Sequence, residues 1–152
     1  MQYINEHHNY ENCVFCTAAR LEDGFENLIV ERGENAFVIL NRYPYNNGHL
    51  LVVPYKHCDS LDALSVETRN EIMTLTNSAI KILRVLYNPQ GFNIGINIGD
   101  VAGAGLAEHI HLHVVPRWGG DTNFMSIIGQ TRVLPEELAE TYQRVFEAWR
   151  AG

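Results

Sequence analysis

Cysteine is scarce in this 152-residue chain: three residues, an odd number, placed unevenly at 13, 16 and 58. That is too few for a disulfide framework, and a free odd thiol suits a reducing compartment. Positive charge is also short, with 11 Lys and Arg against 18 Asp and Glu and a formal net charge of −7. Broad nucleic-acid binding depends on neutralising phosphates with Lys and Arg, so no nucleic-acid partner is expected, and an anionic small substrate would need local donors. Long apolar runs are missing, and with them any expectation of a membrane span. The opening "MQYINEHHNYEN" lacks the basic and then apolar pattern of a secretory signal. The expected location is the cytoplasm. No repeat, low-complexity tract or linker interrupts the chain. Residues 1–152 are therefore expected to form one domain, with a polar arm over 1–12 and a C-terminal segment and helix over 119–152.

Among what is present, 46% of residues are hydrophobic and 19% charged, the balance of a globular protein with a real core. "NAFVILN" (35–41) and "GHLLVVP" (48–54) are β-branched and aliphatic runs joined by "RYPYNN", which predicts a β-hairpin. Ser65 precedes a stretch with Ile72, Leu75, Ala79, Leu83 and Leu86 at helical spacing and Glu67 in the first turn, so a long amphipathic helix is expected there. "GFNIGINIG" (91–99) alternates as a strand and leads through the small-residue "DVAGAGLAE" into "HIHLHVV" (109–115). A last helix is expected from Pro135, with Glu136 and Glu137 at its positive end and Leu138, Tyr142, Val145 and Trp149 along one side. Locally paired strands and segregated helices predict an α+β fold with an antiparallel sheet.

In an extended strand His109, His111 and His113 would share one face while Ile110, Leu112 and Val114 share the other. This predicts an aliphatic face that packs and a histidine face that is presented. The outer two histidines would then lie roughly 13 Å apart along the strand. Metal–nitrogen bonds are only about 2.0 to 2.1 Å long, so one ion could take all three only by straining the strand. Two of them could still share a metal with a ligand from elsewhere. A neutral imidazole can instead attack phosphorus if a neighbour fixes its tautomer and donors meet the anionic oxygens. "GDVAGAGLAEH" offers such donors, since small residues let backbone N–H groups approach phosphate closely. It carries neither a Walker Lys-Ser/Thr pair nor a GxGxxG followed by a helix.

"CVFC" leaves three readings open. Cys13 and Cys16 suit a tetrahedral structural zinc if two more ligands approach. A thioredoxin-type redox pair would follow a strand and open a helix, whereas a polar arm precedes this one. Two packed, unliganded thiols are the third.

Taken together, "CVFC", "LNRYPYNNGHLLVVPYKH" and "INIGDVAGAGLAEHIHLHVVPRW" resemble, in the same order and across residues 13–118, the histidine triad (HIT) superfamily of nucleotide hydrolases and transferases. The form of the last segment is most similar to the diadenosine polyphosphate branch, which includes the diadenosine tetraphosphate phosphorylases and the fragile histidine triad hydrolases. The resemblance implies a HIT-like five-stranded antiparallel sheet with one long helix and a C-terminal helix. It implies cleavage of dinucleoside polyphosphates at the α-phosphate through a nucleotidyl-histidine intermediate. His111 matches the nucleophile, His113 the residue that contacts the phosphate or leaving group, and His49 the fourth histidine that supports the triad. Asn41 and Asn97 match positions that bind the ribose or the phosphate edge, and Gly105 and Leu106 lie where loop donors meet phosphate. Some members bind zinc through a CxxC pair and two histidines; the matching residues are Cys13, Cys16, His57 and His109, with His7, His8 and Cys58 as substitutes. Mg²⁺ is implied only as a companion of the polyphosphate. Homodimers that join two sheets are the family's habit.

One departure concerns the loop. Many members carry Gln and then Ser or Thr where this chain has Gly105 and Leu106, and Leu106 cannot donate a proton. This weakens a phosphoramidase activity relative to polyphosphate cleavage. The residues also leave room for a metal-dependent hydrolase or a nucleotide-binding adaptor. Arg42, Lys56 and Arg117 are left outside the catalytic set, as single surface bases usually only meet solvent.

Overall fold

Two aliphatic runs with no polar interruption are the natural centre of a sheet, because neither of their faces can be left to water. They occupy that position. The computed structural model describes residues 11–121 and 136–152, and in it β2 (Ala36–Leu40) and β3 (Leu50–Pro54) are buried at every residue. They pair antiparallel from Ala36–Pro54 to Leu40–Leu50 as the predicted hairpin. β1 (Ile29–Arg32) flanks β2, β5 (Leu112–Arg117) flanks β3, and β4 (Gly91–Ile96) closes the far edge, giving the order β1-β2-β3-β5-β4 with every pair antiparallel.

The long helix α2 spans Val66–Tyr87 and lies against β2, β3 and β5. Ser65 caps it, its hydroxyl accepting from the Thr68 N–H at 3.1 Å. Ile72, Leu75, Ala79 and Leu83 are buried as their spacing predicts, and Leu86 packs partly against them. Asn88 ends the helix in the left-handed conformation at φ 46°, which Asn tolerates at a helix end. The hairpin turn comes close to this helix at Gly48 (φ +80°), where an added Cβ would sit 2.8 Å from Leu83 Cδ2. The last helix, α3, covers Leu138–Ala151, packs on α2 and β1, and buries Tyr142 and Val145, while Leu138 and Trp149 pack at the margin of the core. Its expected start at Pro135 lies outside the described residues.

The structure adds one helix for which the pattern made no prediction: "CVFC" opens a short helix, α1 (Val14–Arg20), with Cys13 at its N-cap position. The histidine strand begins later than predicted, at Leu112. Over 109–111 the backbone leaves the sheet because the Ile110 N–H is given to the Cys58 carbonyl at 2.7 Å, in the loop after β3. Nor is the histidine side presented to solvent at its first two members, while His113 is half-buried. His109 is 1% and His111 8% exposed, with the Phe15 ring of α1 against both.

Candidate active site and metal centre

Three separate pieces of chain converge beside β3 and β5: the start of α1, the loop after β3, and the segment entering β5. They bring four ligand atoms together, one each from Cys13, Cys16, His57 and His109, all within 4.8 Å of one another. Cys13 Sγ lies 3.2 Å and Cys16 Sγ 3.6 Å from His109 Nδ1, and Cys16 Sγ lies 3.4 Å from His57 Nδ1. Tetrahedral zinc, with bonds of about 2.3 Å to sulfur and 2.0 to 2.1 Å to nitrogen, requires sulfur and nitrogen about 3.5 Å apart. The donor set and its spacing fit zinc. The His109 tautomer fits too: Nε2–H donates to the Pro54 carbonyl at 2.8 Å, leaving the Nδ1 lone pair towards the thiols. Burial pushes the pKa of His109 down to about 4, favouring the neutral ligand form, and burial together with Cys13 pushes the Cys16 thiol up to about 11. Metal binding would therefore displace a proton from Cys16. Cys58 stands outside this group; its thiol donates to the Ser60 carbonyl at 3.7 Å. His7 and His8 lie outside the described residues.

His111 does not belong to the four-residue cluster but is tied to it by one bond. Its Nδ1–H donates to the His109 carbonyl at 2.9 Å, so the lone pair resides on Nε2. Burial pushes its pKa below the ordinary histidine value, favouring the neutral ring. His113 follows two residues on, its ring centroid 4.9 Å from that of His111 at 59°.

The tautomer of His113 is set from the hairpin turn. The Tyr45 N–H reaches His49 Nδ1 at 3.2 Å, so His49 carries its proton on Nε2 and donates it to His113 Nδ1 at 3.0 Å. His113 is left with Nε2–H as a donor. Asn41 braces the same turn. Its Oδ1 accepts the Tyr43 N–H at 3.0 Å, which directs its amide nitrogen onto the His49 ring at 3.3 to 3.4 Å. The Tyr45 ring stacks on His49 at 5.1 Å and 18°, covering a histidine that is wholly buried.

The remaining candidates divide. Asn97 donates to the Gly103 carbonyl at 3.2 Å and braces the glycine loop, whose Gly99 and Gly103 take φ +86° and +87°. Gly105 is exposed with open space around it, and Leu106 turns partly into the core. Arg42 and Lys56 donate to the Glu26 and Ala63 carbonyls, and Arg117 holds Asp121 through two nitrogens at 2.7 and 2.9 Å. A small hollow lined by Arg42, Gly48 and Leu138, among others, has no histidine in its wall.

A zinc-compatible Cys2His2 cluster wired to a histidine pair, on a five-stranded antiparallel sheet, can be set beside known proteins. The sequence profile of the HIT domain matches residues 25–120. This chain belongs to the HIT family. Among curated relatives, the AP-4-A phosphorylase of Mycobacterium tuberculosis is 47% identical over 124 residues, a stretch covering 82% of this chain and 64% of that protein. The chain thus matches somewhat under two thirds of that relative's length. Among solved structures, a Zn-bound histidine triad family protein from Mycobacterium smegmatis superposes with a TM-score of 0.73 at 27% identity, covering 93% of this chain and 96% of the other. A histidine triad nucleotide-binding protein from Sulfolobus tokodaii, described as hypothetical, gives 0.71 at 26% identity, with 91% and 93% covered.

Reading the HIT motifs alone misses Phe15 and Tyr45. A phenylalanine between two cysteines reads as packing, and a tyrosine in a turn reads as surface. The cue for Phe15 is its place inside a ligand pair, which forces it beside whatever the cysteines face.

Proposed function

We propose that this HIT protein is a nucleotidyl transferase that cleaves dinucleoside polyphosphates at the α-phosphate, with His111 as nucleophile. The observation that carries the reading is the pair of fixed tautomers: an Nε2 lone pair on His111 and an Nε2–H donor on His113, two positions on at the start of β5. Similarity to an AP-4-A phosphorylase supports the substrate class.

In the first step His111 Nε2 attacks the α-phosphorus, a P–N bond forms, and the bridging P–O bond breaks with its electron pair leaving on the polyphosphate. His113 Nε2–H meets a non-bridging oxygen as charge shifts, and the glycine loop, braced by Asn97 and including Gly105 and the backbone of Leu106, offers N–H donors to the others. In the second step an oxygen of water or inorganic phosphate attacks the same phosphorus and the P–N bond breaks with its electron pair returning to Nε2, which restores neutral His111, while a proton of an attacking water passes to solvent. A polyphosphate leaving group is stable as an anion, which suits a loop whose Leu106 cannot supply a proton. Asn41, committed to Tyr43 and His49, acts through the turn; any ribose contact would be additional to these bonds.

Zinc bound at Cys13, Cys16, His57 and His109 would supply structural closure. Its ligand set excludes His111, which supports a split between metal binding and chemistry. Mg²⁺ would travel with the substrate. We place the protein in the cytoplasm, where cysteines outside disulfides are at home, as a homodimer of single-domain chains.

The decisive experiment feeds diadenosine tetraphosphate with and without inorganic phosphate. ADP plus ATP only when phosphate is present identifies a phosphorylase; AMP plus ATP identifies a hydrolase. Acid-labile labelling by an α-labelled substrate should map to His111, and His111→Ala should fold and be inactive. A folded His111→Ala protein with near-normal turnover would sink the assignment.

A further inference from the structure

Between the two cysteines sits a side chain whose position the proposed chemistry has not used. Phe15 is 6% exposed, and the Cys13 and Cys16 geometry fixes where its ring can go. That ring meets His109 edge-on at 5.4 Å and 76°, and packs tilted beside His111 at 5.0 Å and 55°. His111 is therefore held from two directions, by the tilted Phe15 ring packed beside it and by the His109 carbonyl at Nδ1. Both holds originate in the metal cluster: Phe15 hangs between two ligands, and His109 is itself a ligand. The segment between is pinned as well, since the Ile110 N–H bonds the Cys58 carbonyl, one residue past His57.

We propose that Phe15 is a positioning residue for His111, and that closing Cys13, Cys16, His57 and His109 around a metal holds the nucleophile's ring in its attacking orientation through Phe15 and the His109 carbonyl. The inference rests on His111 being the nucleophile. Its physical basis is that a neutral imidazole has two tautomers and a free χ2. Only one combination leaves the lone pair on Nε2 facing the space shared with His113. A single hydrogen bond to a carbonyl restrains the nitrogen but lets the ring swing about it; a second aromatic ring packed against it narrows that swing. A loosened α1 would release the ring, and the cysteine ligands are what fasten the start of α1 to His109 and His57.

The test uses the full chain with ¹⁵N-labelled histidine, metal content measured on each sample, and long-range ¹H–¹⁵N spectra that read the His111 tautomer. The metal-bound parent should show a single Nδ1–H form at His111. Phe15→Ala should retain one metal per chain, because all four ligands remain, yet show exchange-broadened or mixed tautomers at His111. Its kcat should fall about ten- to a hundredfold with KM within about twofold, the size expected when an orienting contact is lost. Phe15→Leu, which restores apolar cover, should recover part of kcat. Metal removal from the parent should reproduce the His111 broadening without substrate present. A metal-bound Phe15→Ala protein with the parent's His111 spectrum overturns the proposal, as does a metal-free parent whose His111 signal stays unchanged. If Phe15→Ala loses its metal, Phe15→Leu is judged by the same spectra. Failure of the functional reading would look different: no cleavage of any dinucleoside polyphosphate by the parent, whatever His111 does in the spectra.

Discussion

His113 carries the clearest consequence of the hydrogen-bond chain from the hairpin turn. Its Nδ1 accepts from His49 Nε2–H, so a proton added to His113 would have to enter where a donor already points. Burial, and then the nearby His111, push its pKa below the ordinary 6.5. A folded value below the unfolded one means the unfolded chain binds more protons between the two. Stability on this account rises with pH through that window, is complete above about 6.5, and is lost as pH falls towards the folded value. Activity should follow the same neutral form: the acid limb of kcat/KM should lie below 6.5, and a pH–rate profile with its acid limb at or above 6.5 would contradict the His49–His113 arrangement. Asn41 makes a second claim at this scale. Beside Arg42 and Pro44, Asn41 suits turn capping as well as ribose binding, and the family resemblance points to ribose; its bonds to the Tyr43 N–H and the His49 ring support turn capping directly. Asn41→Ala should lower kcat about tenfold by letting His49 turn, with a smaller change in KM. A change confined to KM would return Asn41 to the substrate.

At the scale of elements, the parts governed by periodicity were legible and the parts governed by distant contacts were not. The α2 core face, the Ser65 cap and the β2–β3 hairpin follow from local spacing, and each is found. α1 was hidden because its seven residues expose Val14 and Thr17 while burying Phe15 and Ala18, too short a stretch to show a period, and its packing partners lie across the chain. The late start of β5 was hidden for a related reason: Ile110 bonds to Cys58, a residue no alternation rule could nominate. Ser65→Ala should cost about 1 kcal/mol in urea unfolding, the usual worth of a helix cap, with an unchanged denaturant slope. Gly48→Ala should cost more, about 1 to 3 kcal/mol. It forces a side chain into positive φ and places its Cβ 2.8 Å from Leu83, which is fully buried and cannot easily move. A Gly48→Ala protein within a few tenths of a kcal/mol of the parent would show that the turn shifts freely.

The whole molecule is stitched together at the cysteine–histidine cluster. Cys13 and His109 are 96 positions apart, and His57 lies between them on a third piece of chain. The sheet has its own core in β2, β3 and α2, so the cluster is not needed to form it. It joins the start of α1 to the entry to β5, which is where the proposed nucleophile sits, while the rest of α1 is also held by Asn27 and Arg32 donating to the Ala18 and Ala19 carbonyls. Metal removal should therefore leave far-UV circular dichroism nearly intact while lowering the melting temperature. A metal that binds only the folded chain, present at a hundredfold over its dissociation constant, contributes about 2.7 kcal/mol. For a chain of this length that corresponds to roughly 5 to 10 °C. The effect should fade in acid, since the thiols and imidazoles must release protons to bind, and should return when zinc is restored at neutral pH. Differential scanning calorimetry with metal content measured on the same samples checks this. A melting temperature that stays put while one zinc per chain is removed and restored would mean that the four residues do not fasten α1 to the sheet. The coupling between the cluster and His111 would then have no structural basis.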